Sequence, residues 1–129
     1  MDTSLIFNFI TAFISLFLPW LASPGTPVNT PADTVAEVVS VIDGDTIIVN
    51  IDGRQETVRY IGIDTPEPRR EGASECGSHE ATEYNRELVA GQTVRLVADA
   101  EDRDQYDRLL RYVYVGEGTT EVFVNEVIV

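Results

Sequence analysis

A chain of 129 residues with a hydrophobic content of 43% is sized for one domain with a real core. Its formal net charge of −13, with nine arginines and no lysine, excludes a protein that gathers polyanions by long-range attraction and fits a salty environment. The single cysteine, Cys76, excludes an intrachain disulfide; with no His–Asp pair near it in sequence, it reads as a small packing residue rather than a nucleophile.

The chain divides into three parts. Residues 1–22 contain the uncharged run Leu5–Ala22, "LIFNFITAFISLFLPWLA", read as a signal peptide or membrane anchor. Its positive flank is missing and Asp2 stands there instead. The expected location is therefore secreted, or held at the cell envelope or membrane, with membrane contact through residues 5–22. Residues 23–34, "SPGTPVNTPADT", form a stiff Pro-rich linker. The folded domain is expected over residues 35–129. Asp2 and Asp33 are the only acids before it, so it carries −11.

Strand signals dominate the start of the domain. "VAEVVSVI" reads as a strand, and so does "TIIVNI", where Ile47, Val49 and Ile51 alternate with Thr46, Ile48 and Asn50. Asp52-Gly53 between them and "QETVRYIGI" predicts a tight hairpin turn, because both central positions of a type I′ turn need positive φ. A helix follows, with Ser78 as N-cap, Glu80 at its positive end and Gly91 as its stop. Ala81, Tyr84 and Leu88 predict its apolar stripe. Then come a strand "TVRLVA", a charged loop "DAEDRDQYDR", a strand "LLRYVYV", a turn over Gly116–Thr119 and an apolar end, "EVFVNEVIV". Five strands with one helix inserted after the third point to a mainly β domain with some α, a small closed Greek-key barrel of the OB type.

The polar residues at the strand ends need an explanation. Asp45, Asp64 and Glu67 are carboxylates without histidine or cysteine partners, a donor set that suits a hard cation such as calcium. The same stretches also read as plain turns: Asp43-Gly44-Asp45 as one, and Asp64-Thr65-Pro66-Glu67 as a capped turn with proline at its second position. The arginines bear on the choice. Arg59 lies in a strand among apolar neighbours and needs an anionic partner, and Arg108 ends the acidic loop. A cation and two arginines match the charge that spreads over the oxygens of a phosphodiester at its transition state. Glu67 is then the group to position or deprotonate the attacking water. Strict alternation sends Arg59 and Asp64 to opposite faces, so they meet only if the strand bends or ends between them; Gly62 permits that.

The three motifs "VIDGDTIIV", "VRYIGIDTPE" and "DQYDRLLRYVYV", in that order with a helix before the third, resemble the staphylococcal nuclease-like (thermonuclease) family. The resemblance covers essentially Val35 to Val129. It implies a five-stranded OB-fold barrel and calcium-dependent hydrolysis of DNA and RNA, single-stranded or locally open, to 3′-phosphate products. It implies that Asp45 and Asp64 bind calcium with the Thr65 carbonyl, that Glu67 acts on the water, and that Arg59 and Arg108 hold the scissile phosphate. Tyr106 matches a substrate-contacting tyrosine. Two departures stand out. Asp107 occupies a position that is usually glycine, and the chain stops where family members enter helices that pack on the barrel, so the domain reads as C-terminally incomplete.

Arg69 and Arg70 are candidates for contact with a polynucleotide backbone, or else a solvated loop. His79 reads as solvent-facing, and Tyr112 and Tyr114 as sheet residues. The expected state is a monomer. The alternative to an enzyme is a non-catalytic OB module that binds nucleic acid or protein.

Overall fold

The computed structural model describes residues 33–129. The apolar run over residues 5–22 and nearly all of the Pro-rich linker lie outside the described residues. Among those described, the order is β1 (Thr34–Asp43), β2 (Thr46–Ile51), β3 (Arg54–Tyr60), α1 (Ser78–Val89), β4 (Thr93–Arg103), β5 (Leu109–Val115), β6 (Val122–Phe123) and α2 (Val124–Val127). A single 3-10 turn, Gly118–Thr120, lies between β5 and β6.

The hairpin turn forms where the sequence demands it. Asp52 and Gly53 take φ of 51° and 82°, and β2 and β3 then pair in strict register from Ile51↔Arg54 to Thr46↔Arg59. β1 pairs with both β2 and β4, and two register shifts, at Val38/Ser40 and Val41/Asp43, let it coil between them. β4 pairs antiparallel with β5, and β5 pairs in parallel with β3 through Val58↔Leu109, Arg59↔Leu110 and Tyr60↔Arg111. That last pairing closes five strands into a barrel of the OB type, with β6 added on the outside of β5. Ile47, Val49, Val58, Val94, Leu96 and Val113 fill its interior, and Val89 and Val124 come from the two helices.

Several elements differ from the sequence reading. β3 stops at Tyr60 instead of running to Ile63. β4 runs on through "DAEDR", expected as loop, because Arg103 pairs with Leu109 and binds Glu56 at 2.9 Å. The N-cap position of α1 is Gly77, with φ of 83°, and Ser78 is the first helical residue. The buried face of α1 is Ser78, Thr82, Asn85 and Val89, while Tyr84 is exposed. That face is mostly polar, so a hydrophobic stripe read from Ala81, Tyr84 and Leu88 finds the helix and two residues at the edge of its inner side, Ala81 and Leu88, but misplaces Tyr84 and misses the buried polar centre. Cys76 is exposed in the loop before α1 rather than packed. Tyr112 and Tyr114 are sheet residues as expected, Tyr114 stacking on Phe123 at 4.8 Å.

Candidate active site

Asp45 follows the turn between β1 and β2 and is 2% exposed. A carboxylate so buried needs its oxygens satisfied. Its Oδ1 accepts the Thr46 hydroxyl at 2.9 Å. Its Oδ2 accepts the Thr65 amide at 2.8 Å and the Thr65 hydroxyl at 2.9 Å, and lies 2.8 Å from Nη1 of Arg59. The hairpin register puts Arg59 beside Thr46, one position from Asp45. The chain then reverses: β3 ends at Tyr60, Gly62 takes φ of 78°, and Arg59 Nη1 donates to the Ile63 carbonyl at 2.8 Å. The reversal carries Asp64 back to Arg59, whose Nη2 donates to Asp64 Oδ1 at 3.0 Å. One guanidinium thus spans two carboxylates, Asp45 buried and Asp64 86% exposed at its side chain.

Arg108 and Arg59 line one cleft of about 420 Å³, together with Tyr106, Ile63 and Asp104. The loop that carries it is built by Asp104, whose Oδ1 accepts the amides of Tyr106 and Arg108 at 2.9 and 3.0 Å, and whose Oδ2 accepts Nε of Arg108 at 2.7 Å. Burial alone would raise the Asp104 carboxyl, but these hydrogen bonds outweigh it and hold it below the usual carboxylate range. Asp107 takes the left-handed conformation, φ 64°, that its position requires. Its carboxylate is 88% exposed and lies 3.5 Å from Arg103, so the acid that engages Arg108 is Asp104 and not its sequence neighbour. Tyr106 is 70% exposed, and the Arg108 guanidinium stands 5.3 Å from its ring centre.

Thr65, Asp45, Arg59 and Asp64 are therefore joined in one chain of contacts, and Arg59, Arg108 and Tyr106 share one cleft. Glu67 is exposed and its side chain is not part of that network; its amide donates to Glu75 Oε2 at 3.1 Å. Arg69 pairs with Glu75 at 3.4 Å, and Arg70 is exposed. His79 is solvent-facing, 82% exposed at its side chain. Two buried asparagines escaped the sequence reading. Asn85 of α1 contacts Tyr60 and Asp43, and Asn125 of α2 accepts the Val113 amide and donates to the Ile61 carbonyl. A mid-helix asparagine spaced at helical period from Ser78, Thr82 and Val89 was the available signal.

The donor set can be weighed for a metal. Among the described residues, no three Asp, Glu, His or Cys side chains converge on one point. Two carboxylates do face one shared positive charge, and every ligating atom they offer is oxygen. This fits a hard divalent cation held loosely, with backbone and water oxygens completing its shell.

Asp43, two residues before Asp45, gives a pH test of the loop. Burial, and then the neighbouring Asp45 charge, raise its carboxyl above the usual range, against the Asp45 amide that donates to it. A raised folded value means that ionised Asp43 costs stability at neutral pH. The cost is absent below the unfolded carboxylate value near 4 and appears as pH rises through the folded one. Asp43→Asn keeps an acceptor for the Asp45 amide and stays neutral. We expect it to melt at a higher temperature than the unaltered chain at pH 7, with the gain vanishing toward pH 3. A difference that does not change with pH would show that Asp43 is not strained by its charge.

Comparison with known proteins adds to the geometry. The family model described as Staphylococcal nuclease homologue matches residues 57–129. A thermonuclease of Staphylococcus hyicus is 42% identical over 82 residues, covering 63% of this chain and 48% of that protein. A thermonuclease of Staphylococcus intermedius is 36% identical over 110 residues, covering 82% of this chain and 66% of that protein. The endonuclease YncB of Bacillus subtilis is 42% identical over 88 residues, covering 66% and 42%. The chain thus spans between about two fifths and two thirds of the length of these relatives.

Proposed function

Because the chain belongs to the family of staphylococcal nuclease homologues, we propose that it is a calcium-dependent nuclease that hydrolyses DNA and RNA to 3′-phosphate products. One observation carries the reading. Arg59 holds the carboxylates of Asp45 and Asp64 while lining the same cleft as Arg108 and Tyr106. Cation-binding acids and phosphate-binding arginines are thereby adjacent.

In this reading Asp45 and Asp64, with the Thr65 carbonyl, would hold the calcium ion. When bound, the ion supplies a fixed positive charge beside the phosphoryl oxygens and makes a nearby water more acidic. Arg59 and Arg108 hold the negative charge that grows on those oxygens, with donors already aimed before the reaction starts. Tyr106, largely exposed at the mouth of the cleft, contacts the substrate strand. Glu67 accepts a proton from the attacking water at a carboxylate oxygen. The water oxygen bonds to phosphorus, the bond from phosphorus to the 5′ oxygen breaks, and the 5′ oxygen leaves and takes its proton from a solvent water, while Glu67 returns the one it accepted to solvent. Arg69 and Arg70, on the exposed loop beyond Glu67, extend the contact along the polynucleotide backbone.

The acidic body, −11 over residues 35–129, weakens encounter without preventing catalysis. At about 0.1 M salt the Debye length is roughly 10 Å, so distant acids are screened while groups in the cleft act at contact. The uncharged run Leu5–Ala22 supports export or attachment to the envelope of a monomeric enzyme.

Digestion of single-stranded DNA tests the proposal in three arms: calcium, chelator, and Glu67→Gln with calcium. We expect cleavage in the first, none in the second, and a loss of about 10²–10⁴ in rate in the third, the usual range for a positioned general base. Equal degradation in all three arms rules the mechanism out. One observation favours a second reading, an OB module that binds without cleaving: Arg59 already has both carboxylates as partners, as in a purely structural ion cluster. DNA binding without cleavage by the folded chain would select that reading.

A further inference from the structure

The loop Asp43–Gly44–Asp45 carries the buried carboxylate of the site, yet the hairpin alone does not fix its position. Two contacts from outside the loop hold it, and a third joins the two residues that make them. Asn85, in the middle of α1 and 0% exposed, donates from Nδ2 to the Asp43 carbonyl at 2.8 Å. Its Oδ1 accepts the Tyr60 hydroxyl at 2.8 Å. The Tyr60 amide in turn donates to the Asp45 carbonyl at 2.9 Å. The loop is also pressed flat. A Cβ on Gly44 would lie 2.5 Å from Thr65 Oγ1 and 2.8 Å from Ala81 Cβ. Ala81 and Asn85 are one helical turn apart, so a single face of α1 bears on the loop.

Asparagine is a poor choice for a helix interior, and burying its amide costs free energy unless both ends are bonded. Here both ends are bonded, the Nδ2 to the Asp43 backbone carbonyl and the Oδ1 to the Tyr60 hydroxyl. Asp43 lies two residues before Asp45, and Tyr60 adjoins Arg59. A leucine would fill the same space and suit the helix better, so packing does not explain the residue.

We propose that Asn85 is a positioning residue for the cation site, setting the place of Asp45 relative to Asp64 and Thr65 through the Asp43 carbonyl. The inference rests on the reading that Asp45 and Asp64 hold calcium. Asn85 touches neither the ion nor the substrate. It acts through the backbone, as outer partners of metal ligands do, and changes to such partners weaken metal binding by about 10–100-fold.

The test is calorimetric titration of the full folded chain with calcium alone, without substrate, well below each variant's melting temperature. Asn85→Leu leaves the Asp43 carbonyl unbonded and is expected to weaken calcium binding about tenfold or more. Tyr60→Phe removes the hydroxyl but keeps the Asn85–Asp43 bond; it is expected to lower the melting temperature while changing calcium binding less than about threefold. Should Asn85→Leu not fold, Asn85→Ser, which leaves room for a bridging water, is expected to show the same direction with a smaller loss. Calcium binding unchanged in the Asn85 variants assigns the residue to packing and overturns the proposal. Equal weakening in the Tyr60 and Asn85 variants overturns it too, since the loss then follows general loosening. Absence of calcium binding by the unaltered chain overturns it together with the metal reading beneath it. Intact calcium binding by the unaltered chain with no effect of Asn85 overturns this inference alone.

Discussion

Arg59→Ala is expected to lower the rate of DNA cleavage by about 10³–10⁵, the range for an arginine that stabilises a transferring phosphoryl group. It is also expected to destabilise the fold by about 3–5 kcal/mol. Both effects come from one side chain with two sets of neighbours. Toward the cleft, Arg59 faces the space it shares with Arg108 and Tyr106. Toward the barrel, it is the only arginine paired with Asp45 among the described residues, and Asp45 is 3% exposed at its side chain. Removing the guanidinium leaves that charge buried with only neutral donors, the Thr46 and Thr65 hydroxyls and the Thr65 amide. Urea denaturation and initial rates, measured on the same preparation at a temperature where the variant is folded, separate the two losses. Arg59→Lys should recover part of the stability, because it restores a charge, but little of the rate, because an ammonium does not reproduce the two-way fork. If Arg59→Ala is as stable as the unaltered chain, the ion pair with Asp45 contributes nothing and the account of the buried carboxylate fails.

Arg108→Ala is expected to show a similar loss in rate with a much smaller loss in stability, about 1 kcal/mol. The difference follows from its surroundings. Asp104, its partner, keeps two backbone amide donors, from Tyr106 and Arg108, when the side chain is removed. The hydrogen bonds on Asp104 hold its carboxyl below the usual range against the effect of burial, so the stability it contributes is present above the unfolded carboxylate value near 4. That stability is lost as pH falls through the lower folded value. The stability deficit of Arg108→Ala should therefore shrink toward strongly acid pH. A variant that cleaves DNA at the unaltered rate would remove Arg108 from the mechanism.

Much of the fold was written in local chemistry. Asp52-Gly53 fixed one hairpin, and strands β2 and β5 occupy the predicted residues as short, largely apolar runs whose buried residues Ile47 and Val49, and Leu109 and Val113, share one face each. Counting back from that turn also pairs Thr46 with Arg59, so register places Arg59 one position from Asp45, while their side-chain contact depends on where β2 begins. The inner face of α1 was not accessible in that way. Both Asn85 and Thr82 are polar; Thr82 is satisfied by the Ser78 carbonyl one turn earlier, but Asn85 is sustained by Asp43 and Tyr60, distant partners that no local pattern reveals. The extension of β4 was hidden for a similar reason. "DAEDR" is acidic and reads as solvent, yet Arg111 of β5 pairs with Asp102, and Arg103, its own last residue, pairs with Glu56 of β3. The fate of Asp64 turned on a single backbone angle, that of Gly62, which sequence could permit but not require.

The parallel seam between β3 and β5 bears on the order in which the chain is made. Arg59 pairs across it with Leu110, and Arg108 stands at its lip, immediately before Leu109. A polypeptide emerging from the ribosome presents the first arginine long before the second exists. Contacts between residues so far apart also form slowly, since the intervening loop must be closed before they can act. The two cationic groups therefore come into register only when the last staves are in place. A nascent chain, or one cut between Arg59 and Arg108, holds half of the pair and none of its joint chemistry.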